Sequence, residues 1–448
     1  MKTEPQSKNL RNQEFFSPSL HLILIVFLFI TALGIRLYRI TDPPFDFHPV
    51  RQYHSMLIVR SNFFESLDSV PEWRKQIARL NEQHLARVEP RITEFLTLVA
   101  YRLIGAEYTW IPRLFTSIFW LVGGVFIYLL SKEIISNDAA IISTAFYLFL
   151  PFGVSASRSF QPDPLMIMMF LAGIFAIYQY YANPSPSKLV IAAIISGLAI
   201  LVKIVCLFTI FSAFISLSLY KHRLKKTIFH PHLIIFSAIS ILPFGLYFLY
   251  GYFIAGFLRA EVGGRILPQL ILTKDYWGSW LTQIDQVVGY TALIGGLLGI
   301  LVIRNNSART LLMGLWGGYF IFGLVFTYHI TTHDYYQLQF IPIIALSIGP
   351  VCALIVTQLG QYHQNWYWRA ALLGILLFAV SLSLYKTRWR VINTGYEHEV
   401  KIAQEIGELV NHSTQTIYLA PHYGMPLIYH GELSGLGCPS VTRWYWAR

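Results

Sequence analysis

Residues 189–220 read LVIAAIISGLAILVKIVCLFTIFSAFISLSLY, thirty-two positions in which Lys203 is the only charge. A helix crosses the apolar part of a bilayer in about 20 residues, so this run is too long for one ordinary span. Two spans meeting near Lys203 fit it better. Working outward, comparable apolar segments recur at about 20–38, 111–132, 139–157, 163–182, 231–250, 287–303, 308–328, 337–358 and 368–386. With the pair at 189–203 and 204–220 they predict about eleven transmembrane helices, hence an all-α polytopic membrane protein.

Composition agrees. Of 448 residues, 55% are hydrophobic, 16% aromatic and 13% charged, with mean hydropathy +0.50. Soluble domains carry about twice that charge. The net charge of +11 is spread through loops and span ends, and no basic tract interleaved with aromatics points to nucleic acid. Three cysteines are too few for a disulfide framework; Cys206 and Cys352 fall in apolar segments and Cys438 in the polar end of the chain. The basic, then apolar, N-terminus resembles a signal peptide, but Arg36, Tyr38 and Arg39 follow it where small residues would mark cleavage, so it reads as an uncleaved first span.

KHRLKK (221–226) and RNNSAR (304–309) are the clearest basic loops, and HDYY (333–336) opposite them has no Lys or Arg. The positive-inside rule then puts the N-terminus in the cytoplasm of a cell-membrane protein. The loops at 41–110, 158–162 and 251–286 and the C-terminus fall outside. Residues 92–104, ITEFLTLVAYRLI, are too short to span; Ile92, Phe95, Leu96, Val99 and Leu103 repeat along one helical face, which predicts an interfacial helix in the large outer loop. Residues 1–386 thus form the transmembrane domain. From 387 the pattern changes to a helix at 396–410 and a strand at 416–420, an outer α/β tail too small to bury an adequate core alone. It either docks on the membrane part or is incomplete.

Titratable groups crowd the outer side. FDFHPVRQYHSMLIVR (45–60) holds Asp46, His48, Arg51, Gln52, His54 and Arg60, more than a connecting loop needs. Asp46 among prolines is also a good turn former. ASRSFQPDPLM (156–166) adds Arg158 and Asp163; Asp163 before Pro164 is equally a helix cap. Glu89 ends the large loop. Lys203 inside an apolar run either snorkels to the interface or meets an anion or a partner. Arg259, Arg265, His333, Asp334, Tyr335 and Tyr336 come from later outer loops. Fixed cations suit a phosphate, and a carboxylate near a hydroxyl suits base catalysis, which together suggest glycosyl transfer from a lipid phosphate. His329 and His333 have a helical i, i+4 spacing but lack a third ligand, so no metal is expected. No phosphate-binding Gly-rich loop, serine elbow or Cys-x-x-Cys is present.

As an ordered set, FDFHPVRQYHSMLIVR, EPRITEF leading into IPRLFTSIFW, SRSFQPDPLM, Lys203 and HDYYQLQFIPIIAL resemble the GT-C membrane glycosyltransferases of family 39, the protein O-mannosyltransferase and aminoarabinose-transferase type, over about 35–386. The resemblance implies a polyprenyl-phosphate sugar donor, a protein, lipid or glycan acceptor, inversion at the anomeric carbon and no cofactor. It implies Asp46 as base, with Asp163 and Glu89 as further acidic positions and Lys203 facing the donor phosphate. Arg51, Arg158, Arg259 and Arg265 are the expected phosphate partners, and His48, Gln52, Arg60, His333, Asp334, Tyr335 and Tyr336 the expected substrate contacts. Phe47 and His48 stand where many members follow the Asp with Glu. A transporter or flippase of lipid-linked sugars is the alternative, and it would need polar residues along both leaflets.

Overall fold

The computed structural model describes residues 15–222, 230–262, 266–362, 366–391 and 396–437. Helices dominate; the sheet among the described residues has two strands. Among the described residues, eight helices are long and apolar enough to cross a membrane: Pro18–Leu37, Trp110–Ile134, Asp163–Ala182, Ile204–Lys221, Pro231–Ile254, Asn306–Val325, Phe340–Gln358 and Trp366–Arg388. Two further expected spans are bent pairs, Asn137–Phe149 with Pro151–Ser157 at 61° and Lys274–Val287 with Tyr290–Val302 at 94°. The remaining one, Pro186–Val202, is a shorter apolar helix. Eight, two and one account for the eleven expected segments.

The second bend is a correction. Residues 251–286 were expected as an outer loop, yet KDYWGSWLTQIDQV forms a helix that buries Tyr276, Trp280, Ile284 and Val287 at helical spacing. Its polar positions hid it from a hydropathy reading. Gly289, at φ 82°, makes the turn into the next helix.

Contacts divide the chain into two compact units. The first comprises residues 1–35, 119–154 and 163–386 and holds most of the long helices. Between chemically similar lipid and side chains there is little hydrophobic drive, so its helices approach through small residues. A Cβ on Gly318 would come within 2.5 Å of the Thr209 Cα, and one on Gly314 within 2.8 Å of the Ser212 carbonyl oxygen. Pro186–Val202 ends as Lys203 adopts an extended backbone (φ −159°, ψ 119°), and a short 3₁₀ turn, Ile204–Cys206, starts the next helix. The two spans meet at the charge.

The second unit comprises residues 36–118, 155–162 and 387–448, described to 437. At its centre lies Pro49–Glu65, started by Pro49 at the first helical position and buried on nearly every side. Tyr53, Met56, Leu57 and Phe63 from this helix pack with Tyr101, Phe160, Ile428, Tyr429 and Leu433. The residues after 387 therefore share a core with the large loop: Tyr396–Leu409, Met425–His430 and the parallel strands Thr416–Tyr418 and Gly435–Gly437. The helix Ile92–Ile104 turns Thr93, Glu94, Thr97, Leu98 and Tyr101 inward and leaves Phe95, Leu96, Val99 and Leu103 exposed. That apolar outer face is the one expected for an interfacial helix.

Candidate active site

In the second unit the site is built around one carboxylate. The tight turn at Pro43–Phe45 and the left-handed His48 (φ 43°) hold Asp46 just ahead of the helix Pro49–Glu65. A non-glycine residue in that region carries strain, a feature that concentrates at functional sites. The Asp46 side chain is 4% exposed, and its Oδ2 takes Arg113 Nη2 at 2.6 Å and Arg158 Nε at 3.2 Å. Arg113 Nη1 also donates to the carbonyls of Ile40 and Asp42, and its Nε to the carbonyl of Arg158. Arg158 Nη2 donates to the Arg39 carbonyl at 3.1 Å, while its Nη1 has no partner. Burial and then the Arg113 charge push the Arg158 guanidinium down to about 10, which still leaves it cationic near neutrality. Asp46 Oδ1 meets Gln52 Nε2 only at 3.5 Å. One carboxylate oxygen is thus held by cations, and the other is lightly engaged.

Gln52, expected to touch substrate, bonds the scaffold. Its Nε2 donates to the carbonyls of Phe47 and Pro44 at 2.7 and 3.2 Å, and its Oε1 accepts from the Phe160 N–H at 3.0 Å. The amide thereby ties the Asp46 turn to the 155–162 segment. Arg60, also expected at substrate, bonds Glu107 at 3.0 Å, donates to the Tyr429 carbonyl and lies over the Tyr429 ring at 3.4 Å. Its guanidinium clamps the Met425–His430 helix. His48 meets the Phe47 ring edge-on at 4.5 Å. Arg51 and Glu89 are half-buried and act on His54 with opposite sign. His54 bonds the Ala86 carbonyl, and burial, the larger effect, holds its imidazole below its usual value.

Three residues to which the sequence assigned no role hold this turn or the helix that follows it. Arg113 is the larger omission: at the start of a span it looks like a flanking cation, and nothing in its neighbours marks it as a carboxylate partner. Tyr396 stacks on Phe45 at 4.6 Å and 13°. His430 Nε2 and the Tyr53 hydroxyl share a hydrogen bond at 2.8 Å. Their distance in sequence, over 340 residues, gives no local signal.

In the first unit Lys203 and Asp163 form a buried pair, Nζ to Oδ1 2.8 Å, with side chains 3% and 1% exposed. Tyr335 and Tyr336 each present a ring 5.1 Å from that ammonium. The break at Lys203, the start of the helix at Asp163 and the 3₁₀ turn Asp334–Gln337 thus converge on one charge. An ammonium with a carboxylate on one side and aromatic faces on another is desolvated and fixed. His333 stacks on His329 at 5.3 Å, and its Nδ1 is 2.7 Å from the Thr332 hydroxyl; Asp334 is half-buried beside them. Arg259 does not join the group: it is exposed and donates to the carbonyls of Tyr252 and Phe253 at 2.8 and 3.2 Å. Arg265 lies outside the described residues, as do part of KHRLKK and Cys438. Among the described residues no three His, Cys, Asp or Glu side chains are placed to hold a metal ion.

Residues 89–247 match the family model of dolichyl-phosphate-mannose-protein mannosyltransferases. No curated protein sequence matches the chain. Among solved structures the chain is similar to ArnT from Cupriavidus metallidurans bound to undecaprenyl phosphate, with 12% identity over 96% of this chain and 87% of that one and a TM-score of 0.56. The same protein in its apo state gives 13% identity over 94% and 85%, with a TM-score of 0.57. The archaeal oligosaccharyltransferase AglB from Archaeoglobus fulgidus, in complex with an inhibitory peptide and a dolichol-phosphate, gives 12% identity over 94% of this chain and 64% of that one, with a TM-score of 0.55. At these identities the likeness is one of fold. The all-α polytopic architecture expected from the apolar segments is the one found.

Proposed function

We propose that the protein transfers a hexose or pentose from a polyprenyl phosphate to a hydroxyl on a protein, lipid or glycan. The observation that carries this reading is the Asp46 carboxylate, buried and fixed through Oδ2 by Arg113 and Arg158 with Oδ1 lightly engaged. The fold shared with ArnT and AglB, each solved with a polyprenyl-type phosphate, supports it, as does the family-model match at 89–247.

In the proposed reaction the acceptor oxygen attacks the anomeric carbon opposite the phosphate, and Asp46 Oδ1 takes its proton. The bond from that carbon to the phosphate oxygen breaks with its electrons on oxygen, inverting the configuration and releasing the polyprenyl phosphate. The Arg158 cation, with Arg51, stabilises the charge on the leaving phosphate, a contribution of several kcal/mol in comparable sites. Lys203, paired with Asp163 in the first unit, keeps the donor-side role that the family resemblance implies. Asp163 and Glu89 act as supporting acids. The proposed site faces away from the cytoplasm of a cell membrane. That orientation rests on the basic loops at 221–226 and 304–309.

Asp46→Asn keeps the shape and removes the base. Transfer is expected to fall by at least about 100-fold with protein level unchanged. Wild-type transfer by that variant would remove Asp46 from the reaction.

A further inference from the structure

Gln161 sits in the middle of SRSFQPDP, 1% exposed, and neither Oε1 nor Nε2 of its amide has a hydrogen-bond partner. A buried amide without partners is destabilising, and native proteins rarely leave both ends unmet. The segment around it is not loosely built. The Ser159 hydroxyl and N–H both donate to the Ala156 carbonyl, the Phe160 N–H donates to Gln52 Oε1, and the Gln161 N–H donates to the Ser159 carbonyl at 2.9 Å. The Arg158 carbonyl accepts from Arg113 Nε at 3.3 Å. Backbone groups on both sides are pinned, so the amide is held in place by a rigid support without being used by it. Three residues before it, Arg158 likewise carries an unpartnered Nη1 while its Nε faces Asp46.

We infer that Gln161 is a substrate-contacting residue whose amide reads hydroxyl groups of the transferred sugar. The inference rests on the glycosyl-transfer reading above and extends it to a specificity residue. An amide offers one donor end and one acceptor end, and a sugar hydroxyl is both acceptor and donor, so a single ring can satisfy it without introducing charge. The adjacent Arg158 suits the anionic leaving group and Gln161 the neutral ring. A rigid polar group left unpaired until substrate arrives discriminates strongly, because an analogue lacking the hydroxyl leaves it unpaired. The backbone clamp made by Gln52 supplies the preorganisation such reading needs.

The test compares wild type with Gln161→Met, an isosteric apolar replacement, and Gln161→Asn, which keeps both polar ends on a shorter stem. Three quantities are measured on the full-length protein in detergent or liposomes: thermal midpoint, affinity for undecaprenyl phosphate, and transfer from undecaprenyl-phosphate mannose, glucose and galactose. Gln161→Met is expected to melt at or above the wild-type temperature, bind undecaprenyl phosphate within twofold of wild type, and lose transfer by about 100-fold or more. Gln161→Asn is expected to recover part of that transfer. A Gln161→Met protein that melts several degrees lower, or fails to accumulate, shows the amide satisfied inside the protein or by a buried water and overturns the inference. Unchanged transfer overturns it equally. If wild type neither binds undecaprenyl phosphate nor consumes any of the three donors, the glycosyl-transfer reading itself falls, and this inference with it.

Discussion

Asp46 and Lys203 are both buried and both paired, and breaking such pairs from one side leaves the partner uncompensated. Arg113→Met leaves Asp46 with Arg158 alone on Oδ2 and is expected to lower stability by about 3 kcal/mol, read as an earlier thermal midpoint. Lys203→Met removes the ammonium from Asp163 and is expected to lower stability by about 3–5 kcal/mol. Adding Asp163→Leu should then restore the midpoint without restoring transfer. If Lys203→Met alone melts like wild type, the pair does not form; if the double variant transfers sugar, Lys203 does not serve the donor. At this scale the sequence was informative where a charge sat in the wrong solvent. Asp46 crowded by cations and Lys203 inside an apolar run both announced themselves. For Gln52 and Arg60 the sequence is silent on partners, because a polar residue in a polar loop looks the same whether it faces substrate or a neighbouring carbonyl. Only the three-dimensional partners, Phe160 for one and Tyr429 for the other, separate the two uses.

The Met425–His430 helix is held to Pro49–Glu65 by few polar contacts, and one of them titrates. Burial, then the Arg60 charge, depress the His430 imidazole to about 3, so it is neutral in the folded chain, where it hydrogen-bonds Tyr53. The unfolded segment titrates near 6.5, so between about pH 6.5 and 3 the unfolded form binds the extra proton. Stability contributed by this docking is therefore full above about pH 6.5 and declines as pH falls toward 3. Limited proteolysis after 387 should accelerate between pH 7 and pH 5, and His430→Gln should flatten that dependence. An unchanged pH profile in the variant would assign the effect to another group. Elements were legible where one period ruled. The helix Ile92–Ile104, with its apolar face outward, follows directly from residue spacing. The helix Lys274–Val287 was missed because its polar face lowers the window average, although Tyr276, Trp280 and Ile284 recur every four residues.

For the molecule as a whole, the number of apolar segments was readable because each must satisfy its own backbone in lipid, which forces long uninterrupted helices. The two bends were not, since Leu150–Pro151 and Val288–Gly289 interrupt a span without changing its composition. Nor was the sharing of one core by residues 36–118 and the chain after 387, which depends on contacts such as Phe45 with Tyr396 that sequence separation conceals. The final segment is too short to bury an adequate core by itself, and it buries Ile428, Tyr429 and Leu433 against the first-loop helix.

Transfer and transport of a lipid-linked sugar differ in one observable, the fate of the bond between sugar and phosphate. Purified protein in liposomes with radiolabelled undecaprenyl-phosphate sugars and a membrane extract as acceptor measures it directly. The account predicts that wild type releases undecaprenyl phosphate and moves label to acceptor, while Asp46→Asn does neither. Label that stays on the lipid and merely redistributes between leaflets, equally in both proteins, would contradict it.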